Sequence, residues 1–126
     1  MKVTFLGTGT STGIPTIGVK RESCLSSDKR DNRLRSSILI EYKSKSILID
    51  CGPDFRQQML RINKTKIDAI FFTHEHADHT AGLDDIRPIS FHHGKIPIYA
   101  HKRVVDNLKN RFDSVSYTHL RAHETD

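Results

Sequence analysis

Apolar and polar positions alternate through "KVTFLG", crowd into β-branched runs in "SSILIEY" and "KSILIDCG", and open to a helical spacing in "GPDFRQQMLRIN". The first three segments predict strands, because β-branched residues at this density fit a pleated surface. Only the short turn "KSK" separates the second and third, so they predict a hairpin. After the glycine-proline break, Phe55, Met59, Leu60 and Ile62 recur at roughly helical spacing and predict a short amphipathic helix. "KIDAIFFT" predicts a buried strand, "GLDDIRPI" a short helix stopped near Pro88, "KIPIYA" another strand and "KRVVDNLKNRF" another helix. Strands and helices alternate, which makes the class α/β. Between the first strand and the hairpin, a glycine- and threonine-rich segment runs through Pro15 and on through charged residues to about Arg35. A loop of that length in a compact domain tends to be functional or mobile.

Composition narrows the picture. The 126 residues amount to about one ordinary domain, and 36% hydrophobic with 28% charged residues suits a soluble globular chain. No apolar run approaches the ~20 residues of a membrane span. The start "MKVTFLGTGTSTG" lacks the apolar centre of a secretory signal. Two cysteines, Cys24 and Cys51, are too few for a disulfide framework and suit a reducing compartment, so a cytoplasmic protein is expected. The net charge of +5 is spread along the chain. It reads as a solvated surface, with a hint of an anionic substrate.

The chemistry concentrates in "FFTHEHADHTAGLDD", residues 71 to 85. An apolar strand delivers the chain to an edge where a tight loop presents side chains, the usual place for ligand sites in α/β folds. His74 and His76, two apart in an extended segment, can offer imidazole nitrogens to one divalent metal. Asp78 and His79 add a carboxylate and a third imidazole for a second metal, roughly 3.5 to 4 Å away in two-metal sites. Such ions lower the pKa of a bridging water and generate hydroxide, which Asp78 would orient as well as binding metal. The alternative for these residues is a polar loop of satisfied histidines.

"THEHADHTAGL" resembles the signature of the metallo-β-lactamase fold superfamily, and "FLGTGTSTGIPT", "RLRSSILIE" and "ILIDCGPDFRQQML" agree with it. Together they cover roughly residues 1 to 112. "DCGPDFRQQML" with "AGLDDIRPI" is most similar to the branch of phosphoribosyl cyclic phosphodiesterases of phosphonate breakdown, with ribonuclease Z a near neighbour. The resemblance implies the amino-terminal half of an αββα sandwich, with His74, His76, Asp78 and His79 as metal ligands and Asp50 supporting the metal loop from behind it. It also implies two divalent ions, zinc or manganese, and attack by a metal-bound hydroxide on a small phosphodiester, with RNA as a less favoured substrate.

Two departures qualify what the resemblance implies. The branch carries a structural zinc in its early loop through a G-C-x-C-x-x-C pattern. "GVKRESC" keeps only Cys24, with Val19 and Arg21 at the other positions, so no structural zinc and a looser loop are expected there. Family members are also about twice as long, and their second half brings two further histidines and a bridging aspartate with no matching motif here. Residues 1–112 are therefore expected to be a partial domain with impaired activity.

Residues 113–126 are expected to be a non-native tail, because "YTHLRAHET" resembles translated sequencing adapters. Within it, His119 and His123 at i and i+4 would share a helical face if that segment were helical. His92, His93 and His101 read as surface histidines, and Cys51 as a buried small residue. Three functions remain open: a cyclic-phosphodiesterase-like hydrolase, a ribonuclease Z-like nuclease for tRNA 3' ends, and an inert fragment that binds metal weakly.

Overall fold

The computed structural model describes residues 1–114 and 120–125. Six strands form one sheet in sequence order. β1 (Lys2–Gly7), β2 (Ser37–Tyr42) and β3 (Lys45–Ile49) are antiparallel neighbours, and β2 and β3 make the expected hairpin, with Lys43 turning at a φ of 53°. From β3 onward the sheet is parallel, through β4 (Ala69–Phe71), β5 (Ile96–His101) and β6 (Leu120–Thr125). The helices are α1 (Glu22–Leu25), α2 (Phe55–Arg61), α3 (Ala77–Thr80), α4 (Arg87–His93) and α5 (Lys102–Arg111). Parallel neighbours need crossovers, and α2 to α5 occupy them.

The sheet has two unlike faces. Leu39, Leu48, Ile70 and Ile98 lie in register across one face, all buried, and pack in a single cluster with Phe55, Met59, Leu83, Ile86, Val104, Val105 and Leu108 from the helical segments. The period-two alternation puts their neighbours on the other side. There Phe5, Ile38, Ile49, Phe71, Tyr99 and His123 form a second row in register, and the described helices leave it partly open: Phe5 is 64% exposed. The Phe71 and Tyr99 rings stack at 4.7 Å, and the Tyr99 and His123 rings at 4.8 Å.

Several elements differ from the sequence expectation. In α2 the buried residues are Phe55, Gln58 and Met59, whereas Leu60 is exposed. One step beyond Met59 rotates a side chain by about 100°, which carries Leu60 off the inner face. Pro88 does not stop a helix. A 3-10 turn over Leu83–Ile86 leads into α4, and Pro88 falls in its first turn, where proline's missing N–H has no helical partner to lose.

The tail continues the alternation, since Leu120–Thr125 pairs with β5 along its whole length. His123 is therefore on a strand with its ring on Tyr99, and not on a helical face; His119 lies outside the described residues.

The long early loop is laced to its neighbours. Ile14 and Arg33 exchange backbone hydrogen bonds of 2.9 Å, and Gly9 N–H donates to the Leu34 carbonyl. The Arg35 guanidinium reaches both the Asp54 carboxylate, at 3.0 Å, and the Ser11 carbonyl, at 2.9 Å. Cys24 accepts a long hydrogen bond from the Thr16 N–H. No helix among the described residues is long and apolar enough to cross a membrane.

Candidate metal centre

The histidine loop is assembled where β3 and β4 end side by side. Parallel pairing in the register Ile49↔Phe71 brings Asp50 level with the residues that follow β4. The Asp50 N–H donates to the Phe71 carbonyl, and a φ of 59° then turns the chain sharply. Aspartate tolerates this left-handed conformation better than most residues. The next residues run against the loop: Cys51 N–H donates to the His79 carbonyl and Gly82 N–H to the Cys51 carbonyl. A Cβ on Gly52 would collide with the Asp78 carbonyl oxygen, and one on Gly82 with the Gly52 carbonyl oxygen. Both glycines therefore permit a backbone approach that no side chain would.

Asp50 is only 4% exposed and accepts three hydrogen bonds. They come from the Thr73 N–H at 2.8 Å, the Thr73 hydroxyl at 2.7 Å and His79 Nδ1 at 2.8 Å. A carboxylate can only accept, so His79 carries its proton on Nδ1. The same logic reaches His74. The Thr73 hydroxyl has given its proton to Asp50, so at 2.9 Å it accepts from His74 Nδ1. One buried carboxylate thus sets the tautomer of two imidazoles, turning Nε2 of each away from it; His74 Nε2 is the ligand-ready nitrogen, while His79 Nε2 meets Asp78.

The donors are neighbours. The His74 ring centroid is 4.1 Å from that of His79 and 4.7 Å from that of His76. His79 Nε2 lies 3.1 Å from Asp78 Oδ2. With Nδ1 protonated, that contact sets a lone pair against a carboxylate oxygen, and a positive charge between them, a proton or a metal ion, removes the conflict. Three imidazoles and a carboxylate suit zinc or manganese in kind. Among the described residues, however, no three His, Cys, Asp or Glu side chains stand in an arrangement that could hold an ion outright. The donors pair with one another instead of facing one point.

Glu75, between the first two histidines, reaches α5. Its carboxylate pairs with Arg103 at 3.2 Å. The hydrogen bond from its own backbone N–H lowers its pKa below the usual glutamate value, partial burial opposes this, and the Arg103 charge adds to the lowering. Burial, with the charges of Asp85 and Asp50 nearby, pushes the Cys51 thiol well above its ordinary value, which fits a packing residue and not a nucleophile. His92 and His93 sit at the exposed end of α4, and His101 caps α5 by accepting from the Arg103 N–H. Two clefts of about 300 Å³ lie elsewhere, one between α2 and α4 and one inside the early loop, and no loop histidine lines either. His76 is exposed, and His74, Asp78 and His79 are half-buried.

A family model described as the Beta-lactamase superfamily domain matches residues 45–126, more than half of the chain. The chain belongs to the beta-lactamase superfamily. A solved diphosphatase of the PhnP family is 45% identical and superposes with a TM-score of 0.93, over 98% of this chain and 50% of that one. A protein named octanoyltransferase from Porphyromonas gingivalis is 46% identical over 91% of this chain, which is 23% of its own length. Ribonuclease Z of Methanococcus aeolicus is 32% identical over 98% of this chain and 36% of its own. This superfamily member thus spans half or less of the length of the proteins it matches.

Within it, the structure brings His74, His76, Asp78 and His79 into one cluster and places Asp50 beneath them. Sequence reasoning missed Thr73, Arg103 and Arg111. Thr73 had a weak signal, a hydroxyl directly before the first histidine at a strand end. The arginines had none, because nothing in their spacing ties α5 to residue 75.

Proposed function

We propose that this superfamily member carries the metal loop of a metal-dependent hydrolase acting on a small phosphodiester in the cytosol. The observation that carries the reading is the Asp50 carboxylate, which holds His79 directly and His74 through Thr73 by their Nδ1 atoms, so that Nε2 of each is the nitrogen directed to a metal. His74 and His76 would hold one divalent ion, zinc or manganese, and Asp78 and His79 a second. When bound, the ions supply positive charge for the phosphoryl oxygens and a nucleophile from water at neutral pH. Asp78 has a second task, accepting the hydrogen bond that orients the attacking water. The protein's net charge of +5 favours an anionic substrate.

The likeness to a diphosphatase supports phosphate-ester chemistry. A second reading, a nuclease that trims tRNA 3' ends, draws on the ribonuclease Z relatives, and it differs in substrate and not in the metal loop. The octanoyltransferase name covers a protein of which this chain matches 23%, too little to carry acyl transfer over.

Titration calorimetry with Mn²⁺ and Zn²⁺ is the direct test. Binding that disappears in His76→Ala supports the site, and no binding by the parent chain sinks it. Hydrolysis of bis-(p-nitrophenyl) phosphate, against cleavage of a 3'-extended tRNA, then separates the two substrate readings. Metal binding with neither activity marks a metal-binding fragment.

A further inference from the structure

Two of the three loop histidines have their rings set by the protein, His79 by Asp50 and His74 by Thr73. The His76 ring makes an edge contact with His74 and lies near the Glu75 charge, with no hydrogen bond to the ring among the described residues. Its backbone is held instead. Arg111, in the last turn of α5, directs Nη1 at the Glu75 carbonyl oxygen, 2.9 Å away, and at the Thr80 hydroxyl, 3.1 Å away. That hydroxyl donates in turn to the His76 carbonyl oxygen at 2.9 Å. The peptide group before His76 is therefore held directly by the guanidinium, and the one after it through buried Thr80 together with the His79 N–H, which donates to the same carbonyl at 3.0 Å. Arg103, two turns earlier on the same helix, pairs with the Glu75 carboxylate; both arginines are exposed, but Arg103 holds only a side chain, through an ion pair that salt screens, whereas Arg111 bonds the loop backbone and buried Thr80.

We infer that Arg111 is the positioning residue for His76, with Arg103 as a lesser second arm; the importance for metal rests on the reading of the loop given above. The device is suited to arginine. One planar nitrogen sends two N–H groups in fixed directions, and the long stem reaches from α5 across to the loop. The set of histidines is then held from two sides: two rings from the β3 end through Asp50, and one backbone from α5 through Arg111. His76 is the member whose placement depends on the helix.

The test compares the full chain with Arg111→Met, Arg111→Lys and Arg103→Met, each checked for a parent-like circular dichroism spectrum. In the metal-free protein, ¹⁵N relaxation is expected to show the backbone order parameters of Glu75 and His76 falling from about 0.85 to below about 0.6 in Arg111→Met. Thr73 and His79 keep theirs. With Mn²⁺, affinity is expected to fall about 10-fold in Arg111→Met. The loss in Arg103→Met is expected to stay below about 3-fold. Co²⁺ added to parent and variant should give different visible spectra, because one ligand has moved. If Arg111→Met does not fold, Arg111→Lys, which keeps the charge and most of the stem, takes its place with the same expected direction. Unchanged order at His76 overturns the inference. A parent chain that binds no metal overturns the metal reading instead, and the relaxation comparison still decides whether Arg111 positions His76.

Discussion

Replacing Asp50 separates what holds the loop together from what prepares it for metal. The carboxylate is buried and accepts from the Thr73 N–H, the Thr73 hydroxyl and His79 Nδ1 at 2.8, 2.7 and 2.8 Å. A hydrogen bond to a charged group contributes about 1.5–3 kcal/mol, and three on one carboxylate do not simply add. The φ of 59° at this position adds a cost for most replacements. Asp50→Ala is therefore expected to lose about 4 kcal/mol, of which ~1 comes from the left-handed backbone. At about 4 °C per kcal/mol for a domain of this size, the melting point should drop by roughly 15 °C.

Asp50→Asn is the sharper probe. Asparagine accepts the backbone angle, and its oxygen can keep the Thr73 N–H. Its amide, however, can only donate toward His79, so the imidazole must move its proton to Nε2 and accept at Nδ1. Stability should fall by only about 1 kcal/mol, because most partners stay satisfied. Metal affinity should fall about 10- to 100-fold, since the Nε2 lone pair is gone. Urea unfolding measures the first quantity, Mn²⁺ calorimetry the second, and ¹H–¹⁵N correlation of the imidazole nitrogens reports the tautomer. An Asp50→Asn protein that binds Mn²⁺ as tightly as the parent, with Nδ1 still protonated, would refute the assignment of Asp50 as the group that sets the histidines.

Three further predictions rest on other parts of the fold. Gly52→Ala drives a methyl group into the Asp78 carbonyl oxygen; it is expected to cost about 3 kcal/mol in urea unfolding and to weaken metal binding, and a neutral outcome would show that the two segments can separate freely. At Asp68 burial raises the carboxyl pKa, but the Ser46 N–H, Lys66 and Lys45 outweigh it and hold the pKa below the ordinary value. A lowered folded pKa gives stability that is present above the unfolded value and lost as pH falls through the folded one. The stability gap between parent and Asp68→Asn should thus be level near neutrality and shrink below about pH 4, and a gap that widens on acidification contradicts the assignment. On the open sheet face, Phe5→Lys is expected to lower binding of an apolar fluorescent dye and self-association in sedimentation, because Phe5 is the most exposed apolar residue of its row. No change in either measurement would show that the face is not sticky.

Much of the scaffold is legible in the sequence because it rests on local pattern. The β2–β3 hairpin follows from two β-branched runs around a three-residue turn, and α5 from the spacing of Val104, Val105 and Leu108, all buried. Pro88 misleads because a proline flanked by apolar residues looks the same whether it ends one helix or begins another; what decides is the buried pair Ile86 and Ile89 on either side of it. Leu60 misleads because hydrophobicity alone does not say which of two adjacent apolar residues faces the core.

The loop donors His74, His76, Asp78 and His79 can be seen because they sit within six positions. Their supports cannot be read from spacing: only the family resemblance implied Asp50, 29 positions from His79, and nothing implied Arg111, 36 from Glu75. Those pairings depend on strand register and helix docking, which no local spacing encodes. The left-handed turn at Asp50 is equally hidden, since aspartate at a strand end has no single backbone preference.

The Ile49↔Phe71 register has a further consequence. Advancing β3 past β4 by one residue displaces Asp50 by about 3.3 Å and turns its side chain to the opposite side of the sheet. Thr73 and His79 would then meet no carboxylate. A mispaired molecule can still bury much of its apolar surface, but it loses the three hydrogen bonds of this junction, which makes it the less stable alternative. Asp50 therefore favours the observed pairing of β3 on β4, through the same few atoms that hold the histidine loop.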